Sequence, residues 1–283
     1  MASFLIFVSL LSAGTAVYGR PFFAPMDVTV TTTILTTTTT WITSTVLSTL
    51  TQTISGLSIT VTSMTSTSTT TVTGVPRTPK VVTVNGAARI STAQSRFGGA
   101  SGSFTGGYLS LANSADWNFG AGAFTVDWRF MPSRVTGDDG MFQLNSGSGA
   151  QLAIAIYASK IWIQGSGGTP GSYGPTLTVN SWHHFAIVRS VNTMSFYLDG
   201  SSIYSFDCTG QTYSNGGNLL WIGMYVDTSH VFNGWLDEFQ VSKGIARWTS
   251  GFTPPTSAYS GDSNTVLMLH MDGTDGSATF IDG

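Results

Sequence analysis

The feature that most constrains this chain is a pair of short strand-like runs joined by a polar turn. Residues 182–188 (WHHFAIV) and 194–198 (MSFYL) are rich in aromatic and β-branched side chains, which suit a pleated, half-buried surface. Residues 189–193 link them and Asp199-Gly200 closes the second, the signature of a β-hairpin. A further run, 234–241, alternates in the same way before Ser242-Lys243-Gly244 breaks it. As a regular strand it would set Trp235, Asp237, Phe239 and Val241 on one face and Leu236, Glu238 and Gln240 on the other. Such runs predict an all-β domain.

Composition then divides the chain. Between Val28 and Pro76 there is no charged side chain, and Thr and Ser dominate. The globular part must therefore begin after Gly74, which leaves about 200 residues, enough for one β-sandwich with a sizeable core. Charged residues make up 9% of the whole, beside 33 Gly and 12% aromatics. That mix fits secreted or fibrous β-proteins better than cytosolic enzymes. The 11 Lys and Arg are scattered and the net charge is −3, which argues against a nucleic-acid partner. Cys208 is the only cysteine and reads as a small buried apolar residue, because no intrachain disulfide can form. Residues 1–19 hold an apolar run followed by small residues, as in a secretory leader, and the run is too short for a transmembrane anchor.

The Thr- and Ser-rich segment 20–78, uncharged from Val28 to Pro76, admits three readings. An O-glycosylated stalk needs Ser and Thr but usually Pro as well, and none occurs from Val28 until Pro76. A coiled coil can be drawn through Leu47, Leu50, Ile54, Leu57, Val61 and Met64, against the high Thr content and the missing charged flanks. An extended β arm fits best, since Leu57, Ile59 and Val61 alternate with Ser58, Thr60 and Thr62. An uncharged apolar strand invites pairing, so Val28, Val30, Ile34, Trp41, Leu50, Leu57, Ile59 and Val61 are the expected assembly residues of a homo-oligomer or filament.

Several motifs in sequence carry a family resemblance: RFGGASGSFTGGYLSL, ADWNFGAGAFTVDWRF, WHHFAIVR, FYLDG, LWIG and FNGWLDEFQVSKGIARWT with its FTPP ending. Together they resemble the laminin G-like branch of the concanavalin A-like lectin/glucanase superfamily, over residues 79–283. The resemblance implies a jelly-roll β-sandwich of two antiparallel sheets. It places Trp117, Trp128, Trp182, Trp235 and Trp248 in core motifs. The usual opening strand and its acidic Gly turn are missing before residue 79 and stand instead at the C-terminus, as VLMLHMDGTDGSATFIDG. The domain looks circularly permuted. Residues 265–283 then either fold back in cis or insert into another copy, which adds Val266, Leu267, Leu269 and Met271 to the assembly residues.

The superfamily includes glycoside hydrolases, whose usual chemistry needs two carboxylates in one cleft. This chain has one Glu, Glu238, and a regular strand turns its neighbour Asp237 to the other face, so no enzyme is expected. His183 and His184 likewise face opposite ways and cannot chelate one metal. Calcium is the one cofactor worth testing. Asp138 with Asp139, and Asp272 with Asp275, are acidic pairs in Gly-rich loops of the kind that hold it in some relatives. Sugar binding needs exposed aromatics beside polar groups, and Tyr173, Tyr213 with Asn215, and Tyr225 with Asp227 are the candidates. The resulting expectation is a non-enzymatic extracellular or virion-surface fibre subunit. The alternative is a carbohydrate-binding adhesin or lectin domain on a Thr-rich stalk.

Overall fold

The computed structural model describes residues 50–54, 57–61, 78–144 and 151–283. The leader 1–19 and the arm positions Val28, Val30, Ile34 and Trp41 lie outside the described residues. The chain forms two units, Met1–Thr73 and Gly74–Gly283. In the first, β1 (Leu50–Ile54) and β2 (Leu57–Val61) form an antiparallel hairpin in which Leu50 opposes Val61. The alternation of Leu57, Ile59 and Val61 is thus realised as a strand, and that strand pairs within its own chain.

The second unit is a β-sandwich. One sheet has seven strands in the order β11 (Gly171–Tyr173), β10 (Lys160–Gly165), β9 (Leu152–Tyr157), β8 (Asp138–Leu144), β15 (Leu220–Ile222), β6 (Gly107–Leu111) and β3 (Val82–Gly86). The other runs β14 (Ser201–Asp207), β13 (Thr193–Leu198), β12 (His183–Ser190), β7 (Phe124–Pro132), β16 (Gly234–Lys243), β5 (Ser101–Ser103) and β4 (Arg89–Ser91), with β17 (Thr265–Leu269) also on β16. Every neighbouring pair is antiparallel. The expected hairpin is β12–β13, closed by a two-residue turn in which Val191 takes φ +52°.

Period-2 alternation builds the core. Leu152, Ile154 and Ile156 of β9 and Ile161 and Ile163 of β10 point inward, fully buried. From β7, Trp128 packs at 5.9 Å from Phe142, 5.1 Å from Phe185 and 5.3 Å from Phe239, tying the two sheets together. Each such ring contributes about 2–3 kcal/mol by leaving water.

Strand β16 departs from the expected pattern. Glu238 takes φ +51°, and the register against β7 slips between Asp237, opposite Arg129, and Gln240, opposite Asp127. This bulge inserts one extra residue and resets the alternation. Leu236, Phe239 and Val241 therefore share the core face, and Trp235 is displaced from it. Trp182 and Trp248, also expected in the core, are only half-buried, whereas Trp117 and Trp128 are fully buried as expected.

The C-terminal strand completes its own sandwich. The far edge of β16 is shared by β5, beside Trp235 and Leu236, and by β17, beside Phe239 to Ser242. Leu267, Leu269 and Met271 are buried in the core and Val266 packs against it, so these side chains serve the fold in cis. The two ends of the unit meet: the carboxylate of Asp282 accepts from Lys80 N at 2.7 Å and from Met268 N at 2.8 Å. Adjoining ends are what a circular permutation requires.

Candidate functional site

The outer faces of the two sheets differ. That of the eight-stranded sheet is roofed by the segment following β16. Trp248 and Phe252 stack at 4.0 Å and set their edges against His184, each at 5.6 Å. Arg129 donates to the carbonyl of Pro255, and Tyr259 N donates to Glu238 Oε2 at 2.7 Å. Polar groups beneath this roof, Asp127 and His184 among them, are buried and meet at 3.2 Å.

The outer face of the seven-stranded sheet carries polar and aromatic side chains instead. The same alternation that buries Ile161 and Ile163 turns Lys160, Trp162 and Gln164 outward. Cross-strand register aligns Thr83, Ser110, Trp221, Gln143, Ala153 and Gln164 in one row across six strands, a span of about 24 Å at the usual strand spacing. Tyr108 meets Trp221 edge to face at 6.1 Å. A parallel row holds Gly140, Ala155, Trp162 and Ser172, and another holds Asp138, Tyr157 and Lys160. Tyr157 is 51% exposed.

A loop from Met224 to Val231 lies on this face because the residues below it are small. A Cβ at Gly140 would collide with the backbone of Met224 and Tyr225, and Ala153 and Ala155 form the floor under Tyr225. Gly140 N donates to His230 O at 3.1 Å and Val226 N to Gln143 Oε1 at 2.7 Å, which anchors both limbs of the loop. The Tyr225 ring packs at 5.3 Å from Trp162, and its hydroxyl donates to Asp138 Oδ1 at 2.6 Å. Burial, reinforced by Asp138, pushes that phenol up well above its ordinary value. His230 bridges two carboxylates, with Nδ1 2.9 Å from Asp227 Oδ1 and Nε2 3.6 Å from Asp138 Oδ2. Asp227 is held down to about 2, first by the Ser229 hydroxyl and then by Ser229 N and His230. The result is a half-exposed indole beside a fixed tyrosine, rimmed by carboxylate, imidazole, amide and ammonium groups. Such a surface can stack on a ring and hydrogen-bond its hydroxyls.

Of the residues singled out in the sequence, Tyr225, Asp227 and Asp138 come together here. The others do not. Tyr213 is fully buried in the core, where Arg189 lies over its ring at 5.2 Å and its hydroxyl donates to Ser166 O. Asn215 is buried and donates to Asn218 O at 2.7 Å. Tyr173 stacks on Tyr204 at 3.9 Å between the outermost strands, which pushes its phenol up to about 12 through burial and Tyr204. The other three calcium candidates, Asp139, Asp272 and Asp275, lie apart from Asp138. Asp139 is buried against the Arg134 guanidinium and points away from Asp138. The Asp272 carboxylate lies against Gly98, and Asp275 Oδ1 accepts from Thr92 N at 2.9 Å. No group of three metal-ligating side chains forms among the described residues.

The bulge buries Asp237 and Glu238 side by side. Asp237 Oδ2 accepts from Arg96 N at 2.8 Å and Phe97 N at 3.1 Å, while Glu238 faces His270 Nδ1 at 3.0 Å. Burial, with repulsion from Glu238 and Asp272, pushes Asp237 up to about 7. Trp162, Trp221, Tyr108 and His230 were not singled out in the sequence. The signal was present for two of them, since Ile161-Trp162-Ile163 and Leu220-Trp221-Ile222 each set one indole opposite two core aliphatics.

A sandwich of two antiparallel sheets, roofed on one outer face by the segment after β16 and crossed on the other by the Met224–Val231 loop, is a jelly-roll architecture. The chain belongs to the concanavalin A-like lectin/glucanases superfamily, whose laminin G-type family profile matches residues 101–247. No protein of curated function matches it. Solved structures with a similar fold include domain 4 of AbnA, a GH43 extracellular arabinanase from Geobacillus stearothermophilus, in complex with arabinotriose. It is 15% identical, with TM-score 0.46, over 58% of this chain and 83% of that one. A putative carbohydrate binding protein from Bacteroides ovatus is 15% identical, with TM-score 0.45, over 74% of this chain and 59% of that one. The binding domain of Paraclostridial Mosquitocidal Protein 1 is 12% identical, with TM-score 0.48, over 59% of this chain and 44% of that one. Among the described residues no helix is long and apolar enough to cross a membrane.

Proposed function

We propose that the unit Gly74–Gly283 is a non-catalytic, extracellular carbohydrate-binding domain that holds its glycan on the outer face of the seven-stranded sheet. The observation that carries this reading is the placement of half-buried Trp162 against Tyr225 on the outer face of the seven-stranded sheet, within a rim of hydrogen-bonding side chains. A glycan is amphipathic in the same sense, with apolar ring faces and a polar circumference, and an indole flanked by carboxylate and amide groups matches both parts. Membership in a superfamily of lectins and glucanases supports the same conclusion. The hydrolase alternative is disfavoured because Glu238 is buried on the opposite sheet, paired with His270 and Tyr259 N. Assembly through residues 265–283 is disfavoured too, because β17 already pairs in cis.

The test is a screen of the Gly74–Gly283 fragment on immobilised neutral oligosaccharides, followed by calorimetry on the hits with Trp162→Ala. Truncating a central aromatic anchor should weaken binding at least about tenfold while leaving the thermal midpoint near the wild-type value. Absence of any glycan ligand, or affinity unchanged in Trp162→Ala, would refute the proposal.

A further inference from the structure

The carboxylates around Trp162 bear on which glycans this face would take, an inference that rests on the carbohydrate reading above. We infer that the site accepts neutral glycans and rejects those carrying uronic or sialic acid carboxylates. Two Asp side chains reach solvent beside the Trp162–Tyr225 pair, Asp227 with 58% of its side chain exposed and Asp138 with 34%. Ser229 N, Ser229 Oγ and His230 Nδ1 all converge on Oδ1 of Asp227, so Oδ2 has no partner among the described residues and stands as an outward acceptor. A sugar hydroxyl can donate to it in a charge-assisted hydrogen bond. A sugar carboxylate cannot, and meets two like charges instead.

The cations near this face do not offset that charge. Recognition of a carboxylate calls for an arginine fork or an aimed ammonium group. The Arg134 guanidinium is committed to the buried Asp139. Lys160 is the one cation that the strand register places on this face among the described residues, and it is two strands from Asp138, about 10 Å at the usual spacing. His230 lies between the two carboxylates with both ring nitrogens turned toward them. The Tyr225 hydroxyl is donated to Asp138, and Asp227 is held ionised by its three donors. The groups facing an incoming sugar at this end are therefore acceptors that suit hydroxyls.

The experiment compares matched ligands that differ only at C6. Gluco-, galacto- and manno-oligosaccharides and their C6-oxidised uronates are titrated at pH 7.5 into wild type and Asp227→Asn, at low and at moderate salt. Each uronate should bind about fourfold more weakly than its neutral parent, the size of one like-charge contact near 5 Å in watery surroundings. The gap should narrow in Asp227→Asn, which retains an acceptor for Ser229, and should also narrow with added salt. Equal or tighter binding of the uronates, or an unchanged gap in Asp227→Asn, overturns the selectivity and leaves the carbohydrate reading standing. Binding of neither member of any pair overturns both.

Discussion

Replacing Asp237 by Asn should stabilise this domain, and by an amount that grows with pH. Asp237 is fully buried in the β16 bulge, and burial together with Glu238 and Asp272 pushes it from its ordinary 3.8 up to about 7. Between those two values the folded chain holds a proton that the unfolded chain has released. Raising the pH through this window therefore costs stability, and the cost is complete above the folded value. A gap of about three units corresponds to about 4 kcal/mol at 1.36 kcal/mol per unit. Asn keeps an oxygen to accept from Arg96 N and Phe97 N and carries no charge to desolvate. His270, raised mainly by its hydrogen bond to Glu238 and least by the charge of Asp237, also loses its contribution as pH rises, and the Glu238 part of that loss is common to both proteins. Urea melts of wild type and Asp237→Asn at pH 4 and pH 8 read the effect. The difference should be near zero at pH 4 and about 2–4 kcal/mol in favour of the variant at pH 8. A difference that does not change with pH, or a variant less stable at pH 8 than at pH 4 relative to wild type, would refute the reasoning.

Two further outcomes follow from the packing. A chain ending at Asn264 loses β17 and the buried Leu267, Leu269, Met271 and Phe280. At about 1.5–3 kcal/mol per side chain, this is comparable to the whole stability of a typical domain. The truncation should show no cooperative melt by circular dichroism, and a soluble folded product would contradict cis completion. Gly140→Val places a side chain where the backbone of Met224 and Tyr225 lies, so it should lift the loop off the sheet. Glycan binding should fall while the core strands keep their hydrogen-exchange protection, and retained binding would show that the loop does not build the site.

The regular parts of this fold were legible because side-chain period and strand period coincide. Residues 182–198 announced the β12–β13 hairpin, and the displaced VLMLHMDG segment announced a strand without deciding between pairing in cis and in another copy. Strand β16 misled because a bulge is a single backbone choice at Glu238, φ +51°, that no composition signal marks and that inverts every later side chain. The site was half legible. Tyr225 and Asp227 stood out as an aromatic beside an acid in a loop, but Tyr213 stood out equally in QTYSNGG and proved to be core. What separates them is long-range: Tyr213 exchanges backbone hydrogen bonds with Gly120, 93 residues away by subtraction of their numbers, which carries its ring inside. Trp162 was readable from its two flanking isoleucines, yet only the fold reveals that the Met224–Val231 loop sets Tyr225 beside it while the opposite sheet is roofed by Trp248 and Phe252.

The most direct test of the central claim is a nuclear magnetic resonance titration of the tryptophan indole signals with the tightest neutral glycan. The chain has 8 tryptophans, and those of the sandwich are spread over the core and both outer faces. Binding on the seven-stranded sheet should shift the Trp162 indole most and Trp221 next, with the buried Trp117 and Trp128 unmoved. Shifts confined to Trp235 and Trp248, on the roofed side, would place the ligand on the opposite sheet and contradict the account.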